Sequence, residues 1–105
     1  MLAFLKNLFK SSTKTNWAAL IKSGAIIIDV RSPQEFNSGH ISGSLNIPLE
    51  LLTRNYDKLN KERTIITCCA SGMRSAAAKK ELESKGFATV LNGGGWYSLQ
   101  QKIKP

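Results

Sequence analysis

The sequence predicts one three-layer α/β domain, a mostly parallel sheet flanked by helices, and three observations predict it. Short β-branched apolar runs at residues 25–30, 64–68 and 88–91 alternate with stretches whose apolar residues recur at helical spacing. The first run is apolar on both faces, as a central strand covered by helices on each side must be. At 105 residues the chain has the length of a single domain, and a domain near this size buries roughly 65% of its unfolded surface, enough for a real core. Right-handed crossovers then place the strand-to-helix loops along one edge of the sheet.

Taken in order, residues 1–10 set Leu2, Leu5, Leu8 and Phe9 on one helical face and Lys6, Asn7 and Lys10 on the other. This short amphipathic helix is expected to dock on the domain; membrane-surface association, partner binding and a weak export signal are the alternatives. It lacks a small-residue cleavage site. Residues 11–15 form a polar linker, so the chain divides into a segment 1–15 and a domain 16–105. Residues 16–23 read as a helix capped by Thr15 or Asn16 and stopped by Gly24, with Trp17 and Leu20 toward the core. Residues 25–30 are the first strand, central and parallel. Ser32-Pro-Gln-Glu35 is a capping box with proline at the first helical position, fixing a short helix over 35–38. Asp29 and Arg31 stand at the strand's mouth, where open α/β sheets take ligands. Arg31 is expected to brace the turn through Glu35 or Asp29, with substrate contact the alternative. His40, the sole histidine, is expected to be satisfied by backbone rather than to act as a general base.

Residues 44–47 form a short strand that ends at Pro48, and 49–59 carry Leu51, Leu52, Tyr56 and Leu59 at helical spacing. Residues 64–68 are the next strand. The alanine-rich helix 74–85 ends at Gly86 and spaces Lys79 with Glu83, and Glu81 with Lys85, as i,i+4 pairs. Residues 88–91 are the last strand, Asn92-Gly-Gly-Gly95 turns sharply against another backbone, and 96–103 close the chain as a helix. Trp96 is expected to anchor the core rather than to wall a substrate.

Fifteen basic against seven acidic residues give a net charge of +8. The lysines are scattered, without an aromatic-interleaved basic stretch, which argues against nucleic acid; a solvated basic face with no specific partner is expected, with steering of small anions or an acidic protein by a diffuse positive field the alternative. No run approaches the ~20 apolar residues that span a bilayer. The two cysteines are sequence neighbours and cannot staple a fold, so the chain is expected in a reducing, cytoplasmic compartment with its thiols free.

The chemistry concentrates in Ile65-Ile-Thr-Cys-Cys-Ala-Ser-Gly-Met-Arg-Ser75. Here an apolar strand runs into a thiol, a tight glycine-containing loop and the start of a helix. Backbone N–H groups of Ala70, Ser71, Gly72, Met73, Arg74 and Ser75 are placed to point inward, and the helix start adds positive potential, so the loop is a cradle for an anion. A thiol in such a cradle ionises more readily than a free cysteine, whose pKa is ~8.5. The Arg74 guanidinium offers a planar fork for an oxyanion.

The loop Cys69-Ala-Ser-Gly-Met-Arg-Ser75 resembles the active-site loop of the rhodanese-like sulfurtransferases. Ile28-Asp-Val-Arg-Ser-Pro-Gln-Glu-Phe36 with Gly39-His-Ile-Ser-Gly-Ser44, and Val90-Leu-Asn-Gly-Gly-Gly-Trp96, resemble two further signatures of that family in the same order. Ser44 replaces a usual alanine, and Cys68 beside Cys69 is unusual. The resemblance implies the rhodanese-like fold and a thiosulfate sulfurtransferase: Cys69 as nucleophile, its loop and Arg74 as the binding site for a small anionic sulfur donor, cyanide or a thiol as acceptor, and no metal or organic cofactor. A monomer is expected, with a protein sulfur donor or acceptor as a further partner. Two alternatives accompany it. One is a non-catalytic persulfide carrier or interaction module. The other counts from Cys68, whose five-residue spacing to Arg74 is that of rhodanese-fold phosphatases and arsenate reductases, although Thr67 stands where those enzymes usually carry histidine. Cys68 is otherwise expected to be a core thiol on the opposite side of the sheet, with a resolving role in releasing sulfur or protecting Cys69 the alternative.

Overall fold

The structure, a computed structural model, describes residues 15–104. Its sheet has four strands in the order β2-β1-β3-β4, every neighbouring pair parallel. Helix α1 (Trp17–Lys22) leads into β1 (Ile26–Asp29), α2 (Pro33–Asn37), β2 (Leu45–Asn46) and α3 (Leu49–Asn55). After one 3-10 turn (Tyr56–Lys58) come β3 (Ile65–Cys69), α4 (Met73–Ser84), β4 (Val90–Gly95) and α5 (Trp96–Ile103). The amphipathic segment 1–10 lies outside the described residues.

Strand alternation divides the interior in two. Ile28, Val30, Ile65 and Cys69 pack with Leu52, Ala78 and Leu82 from α3 and α4. Ile27, Ile66 and Cys68 point the other way, against Leu99 of α5, with Trp17, Leu20 and Ile21 of α1 packed alongside. These are the three layers expected. Each fully buried aliphatic side chain contributes about 1.5–3 kcal/mol relative to exposure, and β1 and β3 supply Ile27, Ile28, Ile65 and Ile66 at 0–5% exposure.

Local chemistry sets the helix starts. The Asn16 side chain accepts from the Ala19 N–H at 3.0 Å. In the capping box, Ser32 Oγ accepts from the Glu35 N–H and the Glu35 carboxylate accepts from the Ser32 N–H, at 3.2 and 3.0 Å. Helix α2 therefore begins at Pro33, two residues before the expected 35–38 span, because proline's fixed φ suits the first helical position. The expected helix 49–59 is divided at Tyr56, where Asn55 Nδ2 donates back to the Leu51 carbonyl and the chain tightens into a 3-10 turn.

Two expectations fail. The pairs Lys79 with Glu83 and Glu81 with Lys85 do not close; among the described residues the ion pairs are Arg31 with Asp29 and Arg74 with Glu35. Solvated lysines and glutamates on an open helix face gain little by pairing. The glycine run is also not a turn after a strand ending at residue 91. It remains in β4, with a register shift: Thr67 pairs Asn92 while Cys69 pairs Gly95, so β4 carries one more residue than β3 across this step. The glycines are needed for closeness. A Cβ on Gly93 would lie 2.7 Å from Leu99 Cδ2 and 2.9 Å from the Thr67 carbonyl oxygen, and one on Gly95 would lie 2.9 Å from the Ala70 carbonyl oxygen. The expected close backbone approach is thus correct, but it is made by a bulged strand.

Candidate functional site

Cys69 is the last residue of β3, and the chain curls around its sulfur before α4 begins. Gly72 makes the curl: it is the N-cap of α4 at φ +105°, a conformation glycine adopts without penalty. The Cys69 Sγ accepts from the Gly72 N–H at 2.9 Å and the Ser75 N–H at 3.4 Å, and lies 3.4 Å from Ser75 Oγ. Cys69 is 1% exposed, beneath a rim formed by exposed Ala70, Ser71 and Met73, with Met73 81% exposed. Burial pushes its thiol up, but hydrogen bonds from the Ser75 side chain and from the Ser75, Gly72 and Ser71 N–H groups outweigh burial and bring it below the ordinary value.

Cys68 presents the opposite case. It is fully buried against Ile27, Ile41, Ile66 and Leu99, and burial, with the Asp29 carboxylate next, pushes its thiol up to about 12. The loop hydrogen bonds converge on Cys69, so the Cys68 frame of the phosphatase alternative lacks a cradle.

Arg31 braces the mouth of β1. Its Nη2 and Nε bind the Asp29 carboxylate at 2.7 and 2.9 Å, its Nη1 and Nη2 donate to the Glu35 and Gly39 carbonyls at 3.2 and 2.7 Å, and its guanidinium lies 4.8 Å from the centre of the Trp96 ring. Both carboxylate and guanidinium are buried, at 0% and 4% exposure. The bracing role is as expected, with Asp29 rather than the Glu35 carboxylate as the acid. Trp96 packs in the α5-side core as anticipated. His40 Nδ1 lies 2.7 Å from the Phe36 carbonyl oxygen, and its ring stacks on Phe36 at 3.7 Å, so its role is to close α2.

The Glu35 carboxylate goes instead to Arg74, whose Nη1 and Nη2 bind its two oxygens at 2.7 and 2.9 Å. Hydrogen bonding from Arg74, then from the Ser32 backbone, holds Glu35 down to about 2. Arg74 was expected to reach for an anion; the end-on fork ties the start of α4 to α2 and leaves its Nε–H and outer N–H groups free of Glu35.

Behind the loop stands a residue that the sequence marks only as part of a turn. Asn92 Oδ1 accepts from Ser75 Oγ at 2.6 Å and from the Gly94 N–H at 2.9 Å, while Nδ2 donates to the Gly72 carbonyl at 3.2 Å. Thr67 Oγ1 donates to the Ser75 carbonyl at 2.8 Å. Seventeen residues separate Ser75 from Asn92, and the only trace in the sequence is a polar amide set before three glycines.

Comparison with known proteins finds relatives over most of the chain. Residues 12–102 match the family described as rhodanese-like domain. The chain is 31% identical to the Bacillus subtilis protein YqhL, over 96% of this chain and 80% of that one. It is 31% identical to the thiosulfate sulfurtransferase GlpE of Stutzerimonas stutzeri, over 83% and 80%. A putative sulfur carrier of B. subtilis, YrkF, is 36% identical over 63% of this chain and 36% of its own length. Among solved structures, a rhodanese with anions from E. coli superposes with a TM-score of 0.67 at 32% identity, over 70% of this chain and 89% of that one. The chain belongs to the rhodanese-like domain family.

Proposed function

We propose that this protein is a thiosulfate sulfurtransferase that moves sulfane sulfur through a persulfide on Cys69. The observation that carries the reading is the convergence of the Gly72 and Ser75 N–H groups on the Cys69 sulfur. The thiolate attacks the outer sulfur of thiosulfate, the S–S bond breaks and sulfite leaves with the electron pair. The outer sulfur then stays on Cys69 as a persulfide. Cyanide or a thiol attacks that sulfur, and the electron pair of the persulfide bond returns to the Cys69 thiolate. The N–H groups of the loop and the helix start stabilise negative charge on sulfur through both halves. Arg74 orients the donor's anionic end with the N–H groups that Glu35 leaves free, and Ala70, Ser71, Gly72, Met73 and Ser75 form the walls.

Two free thiols suit a reducing, cytoplasmic compartment, and no helix among the described residues is long and apolar enough to cross a membrane. The working unit is a monomeric domain over residues 16–105, with residues 1–15 as an appended segment. The similarity to a putative sulfur carrier favours a second reading, in which Cys69 accepts sulfur from a protein and turns over free thiosulfate poorly. Thiocyanate formation from thiosulfate and cyanide separates the two. Double-displacement kinetics lost in Cys69→Ser support the enzyme. Absence of turnover in a protein that still takes sulfur from a persulfidated partner supports the carrier.

A further inference from the structure

The hydrogen-bond roles around Asn92 are fixed by two backbone groups. The Gly94 N–H only donates, so the atom 2.9 Å from it must be the amide oxygen; the Gly72 carbonyl only accepts, so the atom 3.2 Å from it must be the amide nitrogen. The same oxygen therefore faces Ser75 Oγ at 2.6 Å. Ser75 has one hydroxyl proton, and Asn92 takes it. What remains toward Cys69, 3.4 Å away, is a lone pair, suited to accept from the thiol S–H and unsuited to a thiolate. Ser75 is fully buried, so solvent does not supply a second donor in its place.

We propose that Asn92 is a positioning residue that holds the Ser75 hydroxyl proton away from Cys69 while the thiol is protonated and yields it when the thiol ionises. On ionisation the Cys69 proton leaves to solvent. The Ser75 O–H then rotates from Asn92 Oδ1 to the sulfur without any transfer of its own proton. The Asn92 oxygen keeps the Gly94 N–H, and its Nδ2 keeps the Gly72 carbonyl, so the loop holds its shape through the change. Rotation costs the short Ser75–Asn92 bond, which sets the thiol's ionisation higher than Ser75 alone would allow. When negative charge moves to the outer sulfur of a persulfide, the hydroxyl is free to return to Asn92. The device thus distinguishes the empty thiolate from the loaded site. It rests on Cys69 being the working sulfur.

The test is the pH titration of thiolate ultraviolet absorbance in the full chain, with Cys69→Ser subtracted, for wild type, Ser75→Ala, Asn92→Ala and the double variant. Because it reads the thiol and not sulfur transfer, failure of the sulfurtransferase reading leaves it intact. Ser75→Ala is expected to raise the midpoint and Asn92→Ala to lower it, each by about half to one pH unit, the worth of one hydrogen bond. The double variant is expected to titrate as Ser75→Ala does. A midpoint that is unchanged or raised in Asn92→Ala, or lowered equally without Ser75, overturns the proposal. Should Asn92→Ala not fold, Asn92→Asp keeps the side-chain size and strengthens the acceptor toward Ser75, while losing the donor to the Gly72 carbonyl. A rise that is larger with Ser75 present than in Ser75→Ala supports the proposal, and an equal rise in both overturns it.

Discussion

Cys68 and Cys69 are chain neighbours with the same side chain, yet one sits in an apolar interior and the other in a ring of donors. The difference comes from strand alternation and from where β3 ends. Cys68 faces the α1 and α5 layer, among Ile27, Ile66 and Leu99. Cys69 faces α4, at the residue where the ladder stops and the N–H groups of a loop and a helix start have no strand partner. Both residues are almost without exposure, so accessibility does not separate them. Hydrogen bonding lowers the Cys69 thiol, while deeper burial lifts the Cys68 thiol, which has no such bonds, to about 12. The groups aimed at the sulfur, more than accessibility, set the two thiols apart.

The contrast breaks most completely at the proposed nucleophile. Cys69→Ser is expected to reduce thiocyanate formation to the solvent background, whereas Cys68→Ser retains near wild-type turnover at a stability cost of about 1 kcal/mol for a buried hydroxyl. Steady-state assay beside a urea melt checks both. Next in size is the packing that shapes the cradle. Gly93→Ala places a methyl within 3.0 Å of Leu99, Ile66 and the Thr67 carbonyl, and is expected to destabilise the domain by about 1–3 kcal/mol, read as a lower urea midpoint.

Two smaller effects sharpen the comparison. The rate of iodoacetamide labelling at Cys69 is expected to rise with pH and level off at lower pH than for a free thiol, with Cys68 unlabelled in the folded protein. Peptide mapping distinguishes the sites. Glu35→Gln keeps a capping-box side chain but removes the charge that holds Arg74. Because the pair is more than a third exposed, the expected loss is about 0.2–1 kcal/mol. Glu35 is depressed to about 2 from 4.5. Its contribution is therefore full above the unfolded value near 4.5 and fades as pH falls through about 2. Glu35→Gln should flatten that acid limb in stability measured against pH, and an unchanged limb would remove Glu35 as its source.

What was legible in the sequence follows the range of each interaction. The Ser32–Glu35 capping box, the Asn16 cap and the Asp29–Arg31 pair join residues two or three apart and were readable from spacing. The strand-to-helix loop around Cys69 was readable too, since its donors are its own backbone. The Arg74–Glu35 fork spans 39 residues and the Ser75–Asn92 bond spans 17. Neither has a local signature: spacing alone marks Arg74 as an anion binder and Asn92 as a turn residue. The glycine run is ambiguous in sequence, because glycine marks both turns and close backbone contact. Only the register against β3 shows which physical need it meets.

The central claim is that sulfur is carried on Cys69 and not on Cys68. Its most direct test is intact mass spectrometry of the reduced protein after brief exposure to thiosulfate, run for wild type, Cys69→Ser and Cys68→Ser. A mass gain of one sulfur atom in wild type and in Cys68→Ser, absent in Cys69→Ser, is the expected result. An adduct that persists in Cys69→Ser and vanishes in Cys68→Ser would contradict it.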